Sequence, residues 1–155
     1  MSVRKRDVLQ KFVFEYDIDK FSTRDIALKT GLSKSYVQVY LTSIKNIDTL
    51  SFKTKKIAYF MQRIVDCGII EYLITEVCAT CVILFGSVRK GESMHASDID
   101  LCVVGTKKDI NVKTFEKQLG HPLDLFIVRS LDALPHELFN NVVNGIVLYG
   151  SFKVK

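Results

Sequence analysis

Residues 82–104 read V-I-L-F-G-S-V-R-K-G-E-S-M-H-A-S-D-I-D-L-C-V-V and constrain the fold more than any other stretch of the chain. An apolar run of strand length at 82–85 meets Gly86-Ser87, and ten residues after Ser87 comes Asp98-Ile99-Asp100, embedded in a second apolar run. This predicts a buried strand, a tight Gly-Ser turn and a second strand bearing two carboxylates. Side chains at i and i+2 of a strand share a face, so Asp98 and Asp100 should project together while Ile99 and Leu101 point into the core.

Two carboxylates on one face repel unless a cation lies between them, and hard oxygen ligands of this kind suit Mg²⁺. A Gly-Ser turn at a helix start offers backbone N–H groups and a hydroxyl to an anion, and Arg89 and Lys90 add positive charge beside it. A phosphate cradle facing a metal-binding pair predicts chemistry on a nucleoside triphosphate. Such a site needs a third oxygen ligand on a neighbouring strand. Residues 121–128, H-P-L-D-L-F-I-V, form an apolar strand interrupted only by Asp124. A carboxylate buried without a partner is costly, and completing a two-metal site would give Asp124 a reason to be there.

The pair Gly86-Ser87, the ten-residue interval, Asp98-Ile-Asp100 and the later strand aspartate together resemble the polymerase-β-type nucleotidyltransferase superfamily. Residues 67–152 are similar to its minimal nucleotidyltransferase family, and residues 134–149 resemble that family's last helix and edge strand. The resemblance implies an α+β fold with a short mixed sheet flanked by helices. It also implies that Gly86 and Ser87 hold the triphosphate, that Asp98 and Asp100 bind two Mg²⁺, and that Asp124 binds a metal and helps activate the acceptor. Ser97 and Gly91 fall on family positions as well. Arginine is frequent in the family where Lys90 stands; here Arg89 and Lys90 share the charge. Family members often pair with a HEPN-type protein as toxin and antitoxin, which implies a protein acceptor of that kind.

Ahead of this site, apolar residues at helical spacing predict a first helix over residues 4–15 and a second from Thr23, its expected N-cap, to Lys29. Gly31 breaks the pattern. Ser33 caps a third helix with Val37, Tyr40, Leu41 and Ile44 on its inner side. Residues 23–41 resemble the bacterial and archaeal helix-turn-helix family, with Ala27 at the helix crossing and Gly31 in the turn. Residues 49–60 alternate apolar and polar side chains around a basic centre, as a β-hairpin wing would. A winged helix-turn-helix over residues 1–60 would present Ser33, Lys34, Ser35, Gln38 and Thr42 to base edges and Lys53, Lys55 and Lys56 to phosphates of duplex DNA. Helix pairs of this kind also serve in docking. Residues 61–79 read as a covering helix, broken at Gly68, that leads into a nucleotidyltransferase domain over residues 61–155.

The charge distribution agrees with that division. Residues 1–66 carry a net charge of +6 and residues 67–155 a net charge of −1, so the basic half is the one to suspect of nucleic-acid contact. Cys78-Ala-Thr-Cys81 is a lone CxxC, and Cys67 and Cys102 lie in apolar runs; all four cysteines read as small hydrophobes rather than as a metal or redox site. His95, His121 and His136 read as structural or surface residues, and Phe85 and Tyr149 as core. With no run of eighteen apolar residues and no apolar N-terminal leader, a soluble cytoplasmic protein without membrane contact is expected, as a homodimer or hetero-oligomer.

The expected activity is Mg²⁺-dependent transfer of a nucleotidyl group, AMP from ATP, to a hydroxyl on a macromolecular acceptor, with the N-terminal module binding the operon's DNA. The alternatives are a nucleotidyltransferase fold without activity, and a non-catalytic DNA-binding regulator whose second domain senses nucleotide or docks a partner.

Overall fold

A computed structural model describes residues 3–44 and 49–153. The chain divides into two compact units, Met1–Lys56 and Ile57–Lys155, a few residues ahead of the expected division after residue 60.

The first unit holds α1 (Val3–Glu15), a single 3-10 turn (Ile18–Lys20), α2 (Thr23–Thr30), α3 (Lys34–Ser43) and the first residues of α4 (Leu50–Asp66). Leu9, Phe12, Ile26 and Val37 form its core, with Phe21, Ala27, Leu32, Tyr40 and Leu41 packed around them. The cap of α2 is Ser22, one residue before the expected Thr23. Ser22 Oγ accepts from the Asp25 N–H at 3.2 Å and the Asp25 carboxylate accepts from the Ser22 N–H at 2.9 Å, a reciprocal box that satisfies two otherwise orphaned donors. Hydrogen bonds from the Ser22 side chain and backbone hold the Asp25 carboxyl below its ordinary range. Ser33 caps α3, as expected, by accepting from the Tyr36 N–H at 3.3 Å. Between the helices Gly31 adopts a left-handed conformation at φ 68°.

The expected wing is not a hairpin. Residues 50–66 are the single helix α4, and the first unit contains no strand among its described residues. Residues 50–60 lack the Gly, Pro, Asn or Asp that a tight hairpin turn requires. Read over its whole length the segment buries Lys56, Phe60 and Ile64, four residues apart, which is helical and not strand periodicity. Short alternation at 49–53 is a fragment of that longer pattern. Lys56, expected at a DNA phosphate, is 8% exposed; burial pushes its amine below the usual lysine range, while the charges of Asp17 and Glu15 oppose the shift.

The second unit continues α4 and adds α5 (Ile69–Val77), entered through Gly68 where the break was expected. Four strands follow: β1 (Cys81–Phe85), β2 (Ile99–Val104), β3 (Leu123–Val128) and β4 (Ile146–Gly150), in spatial order β3-β2-β1-β4. Between them lie α6 (Gly86–Lys90), α7 (Lys113–Leu119) and α8 (His136–Val143). β1 pairs antiparallel with β2 and β4, whereas β2 and β3 are parallel, and α7 lies in the crossover that a parallel pair demands. All of β1 is buried.

Alternation sorts the sheet into two faces. Val82, Leu84, Leu101 and Val103 pack with Ile70, Leu73 and Val77 of α5 and with Phe60 and Ile64 of α4. Cys81, Ile83, Phe85 and Cys102 pack with Leu131 and with Val142 of α8. Tyr149, expected in the core, is instead 38% exposed, because β4 is an edge strand paired on one side only. Cys81 and Cys102 are buried and unbridged, and burial together with Cys81 pushes the Cys102 thiol up to about 11, as befits a thiol that serves as packing. Among the described residues no helix is long and apolar enough to cross a membrane.

Candidate active site

Strand parity decides where the carboxylates go. In β2, Leu101 and Val103 face α5, so Asp100 and Cys102 face α8. In β3, Asp124 stands level with Asp100 in the parallel register, and Phe126 two residues on packs into the α8-side core. Asp98 immediately precedes β2 and is exposed, as is Asp124, while Asp100 is half-buried. Burial, then the charges of Asp124 and Asp98, raise the Asp100 carboxyl above its ordinary pKa. Three carboxylates from two strand segments are therefore close enough to feel one another.

The Gly-Ser turn meets this cluster through the antiparallel β1–β2 pair, in which Phe85 stands opposite Asp100. Gly86 follows with φ +71°, a conformation that side chains disfavour, and a Cβ at Gly86 would fall 1.9 Å from Asp100 Oδ2 and 2.7 Å from its Cγ. The carboxylate thus occupies the space a side chain at position 86 would need. That contact is the reason for glycine here, and it places the turn and Asp100 in one site.

Gly86, Ser87, Arg89, Lys90 and Asp100 line one cleft of about 250 Å³. Helix α6, at five residues, is too short to contribute much dipole, so an anion in the cleft would depend on the turn's N–H groups, the Ser87 hydroxyl and the two cations. Arg89 is half-buried and Lys90 exposed, so the arginine is the better fixed of the two cations.

Ser97 acts locally, its Oγ accepting from the Met94 N–H at 2.8 Å and closing the loop before Asp98. His121, buried, holds the same loop from the other side, with Nδ1 2.9 Å from the Ser97 carbonyl and its ring edge-on to Phe60. The Ile99 N–H donates to the Pro122 carbonyl at 2.9 Å. Together these contacts fix the height at which Asp98 and Asp100 leave the loop. His95 and His136 are exposed.

Three cleft residues escaped sequence reasoning: Glu92, just past α6, and two asparagines. Asn141 on α8 and Asn144 just beyond it line the cleft with Gly86 and Asp100. The available signal was their position opposite the buried Val142 on a short amphipathic helix, but asparagine on a solvent face attracts no notice.

The three carboxylates carry the donor chemistry of a divalent-cation site, and the coupling among them marks a position where positive charge is wanted. Among the described residues no three His, Cys, Asp or Glu side chains converge on one metal-sized point.

In the first unit, three of the five outward residues of α3 serve the fold itself. Ser33 is the helix cap, Gln38 Oε1 accepts from Thr23 Oγ1 at 3.1 Å, and Thr42 Oγ1 donates to the Gln38 carbonyl at 2.8 Å. Lys34 and Ser35 are exposed at the start of α3. Lys53, Lys55 and Lys56 lie on α4, with Lys55 exposed.

The sequence profile described as Polymerase beta, Nucleotidyltransferase matches residues 68–153, more than half of the chain. The chain belongs to the polymerase β nucleotidyltransferase family. The matched residues contain the Gly-Ser turn, all three aspartates and both asparagines, and the α+β fold with its four-stranded mixed sheet is that of a nucleotidyltransferase. Among solved structures, one described as "Crystal structure of the toxin-antitoxin with AMP-PNP" aligns at a TM-score of 0.44 with 23% identity, over 59% of this chain and 73% of its own. No curated protein matches the chain.

Proposed function

We propose that the second unit transfers a nucleotidyl group from a nucleoside triphosphate, with ATP as donor, to a hydroxyl on a macromolecular acceptor. The observation that carries this is the apposition of Gly86 and Asp100, with Asp124 level with Asp100 on the neighbouring strand. It joins an anion-holding turn to a cluster of carboxylates, the pairing that phosphoryl-group chemistry needs.

In this reading Gly86, Ser87, Arg89 and Lys90 hold the β- and γ-phosphates, and Asp98, Asp100 and Asp124 would hold Mg²⁺. The bound cations supply neutralisation of the negative charge that develops on the phosphates. The chain's own groups orient the reaction: the acceptor oxygen bonds to the α-phosphorus, the α–β bridging P–O bond breaks, and pyrophosphate leaves against Arg89 and Lys90. Asp124, exposed at the cluster's edge, accepts the acceptor's proton.

The acceptor is placed on a partner, which the family resemblance suggests is a HEPN-type toxin; the cleft, at about 250 Å³, is smaller than a pocket that would enclose a donor and an acceptor together. The first unit would bind duplex DNA through its basic surface. Its support is the net charge of +6 over residues 1–66 and the exposure of Lys34, Ser35 and Lys55, without a wing.

Incubation with α-labelled ATP, Mg²⁺ and the candidate partner tests the transferase. Label should move to the acceptor with the wild type and fail to move with Asp98→Ala/Asp100→Ala. Equal behaviour of the two proteins would favour the non-catalytic regulator instead.

A further inference from the structure

Besides the turn, the two cations and the carboxylates of Glu92 and Asp100, the cleft is lined by Asn141 and Asn144. Both are neutral, and neither has a place in the phosphate or carboxylate machinery. The Asn144 side-chain Nδ2 donates one N–H to the Asn140 carbonyl at 2.7 Å, which holds the amide in place and leaves its second N–H and its acceptor oxygen for a ligand. An amide with both a donor and an acceptor matches a hydroxyl, which can give and take a hydrogen bond. The side-chain amide of Asn141 has no hydrogen-bond partner among the described residues and keeps both donor and acceptor.

The backbone holds this pair against the strand that ends in the Gly-Ser turn. Val142 between them is fully buried on the sheet. At Gly145 a Cβ would meet Ile83 Cγ2 at 2.5 Å and the Leu84 carbonyl oxygen at 2.7 Å, so only glycine allows the α8–β4 turn to lie on β1. Asn144 is seated by its neighbour's lack of a side chain.

The cleft offers little to a base. Its aromatic residue, Phe85, is 5% exposed and meets Phe126 edge-on at 5.6 Å, leaving no ring face for stacking. At about 250 Å³ the space is smaller than pockets that enclose a drug-sized ligand whole, which begin near 300 Å³.

We propose that Asn141 and Asn144 select the ribose of the incoming nucleotide through its 2′- and 3′-hydroxyls, and that the base goes unread. The inference rests on the transferase reading of the cleft and adds to it which part of the donor is recognised. Discrimination therefore falls between ribo- and deoxyribonucleotides, not between purines.

Calorimetric titration of the full chain with ATP, dATP, GTP and AMP in Mg²⁺ tests this. The wild type should bind dATP roughly five- to tenfold more weakly than ATP, the worth of about one hydrogen bond, and GTP within about twofold of ATP. In Asn141→Ala/Asn144→Ala the ATP:dATP ratio should fall close to one while the ATP:AMP ratio, set by the phosphates, stays. Asn141→Ala alone, which breaks no hydrogen bond in the chain, should lower the ATP:dATP ratio by itself. Equal binding of ATP and dATP by the wild type, survival of the preference in the double variant, or a tenfold loss with GTP would each overturn the proposal while leaving the transferase standing. Failure of any triphosphate to bind the folded wild type would overturn the transferase reading itself.

Discussion

Gly86→Ala isolates the contact on which the site is built. Alanine at φ +71° costs about 1–2 kcal/mol as a left-handed non-glycine residue. Its Cβ would also lie 1.9 Å from Asp100 Oδ2, a distance no pair of atoms tolerates, so the Asp100 side chain must leave its rotamer at a further cost of about 0.5–1.5 kcal/mol. Together these give about 1.5–3.5 kcal/mol, or a fall in Tm of roughly 6–28 °C for a unit of this size. In an Asp100→Ala background the carboxylate is gone and the nearest remaining contact is the residue-100 Cβ at 3.1 Å, so the same substitution should cost little more than its backbone share. The double-mutant cycle should therefore show a coupling near 1 kcal/mol between two positions fourteen residues apart. The chain has no tryptophan, so unfolding in urea followed by far-UV circular dichroism is the suitable assay. A cost for Gly86→Ala that is the same in both backgrounds, or below about 0.5 kcal/mol, would refute the steric account of the turn.

Three further outcomes follow from the same geometry. The Asp100 carboxyl is raised above 3.8 by burial and by Asp124 and Asp98, so the folded state holds this proton more tightly than the unfolded chain does. Its contribution to stability is present at low pH and is lost as pH rises from 3.8 through the raised value; Asp100→Asn should flatten that part of the Tm–pH curve and stabilise the protein at neutral pH while ending transfer. Mg²⁺ with ATP at a hundred times its Kd should stabilise the wild type by about 2.7 kcal/mol and leave Asp98→Ala/Asp100→Ala unmoved, as read by thermal melts. In DNA titrations, Lys34→Ala should reduce the slope of log K against log salt by about one, whereas Lys56→Met, altering a buried side chain, should leave the slope as it is and lower Tm instead. Loss of slope on the Lys56 substitution would mean that α4 meets phosphates after all.

What could be read from the sequence was what short-range patterns decide. Residues 82–104 declared their strands and turn because both apolar runs are continuous and a Gly-Ser pair admits few alternatives. Asp124 could be singled out as the lone carboxylate in an apolar run, although its side chain proves exposed and so incurs no burial cost. Its register opposite Asp100 is a pairing between strands twenty-four residues apart, and only the folded sheet supplies it. The wing failed because a short alternation fits both periods, and the deciding four-residue spacing of Lys56, Phe60 and Ile64 runs past the end of the 49–60 window. Asn141 and Asn144 were invisible for a different reason: a neutral amide on a helix surface differs from a solvated one only by what stands across from it.

The electrostatics of the site and the packing beneath it are two sides of one parity rule. Every other residue of β2 goes to the α5-side core, which leaves Asp100 on the face shared with Asp98 and Asp124. The repulsion among these carboxylates destabilises the fold. What tolerates it is the sheet: β1, the strand opposite Asp100, is buried over its whole length and carries no charge. A strand with polar residues at 81–85 would lack the apolar burial needed to hold like charges level across β2 and β3. The apolar run that first marked the site is thus the physical condition for its carboxylates, and weakening it, for example by Ile83→Ala in the fully buried centre of β1, should cost about 2–5 kcal/mol and loosen the Asp100–Asp124 register before any catalytic residue is touched. Hydrogen exchange at the β2–β3 amides would report it: protection lost there ahead of α5 supports this coupling, and uniform loss across the unit speaks against it.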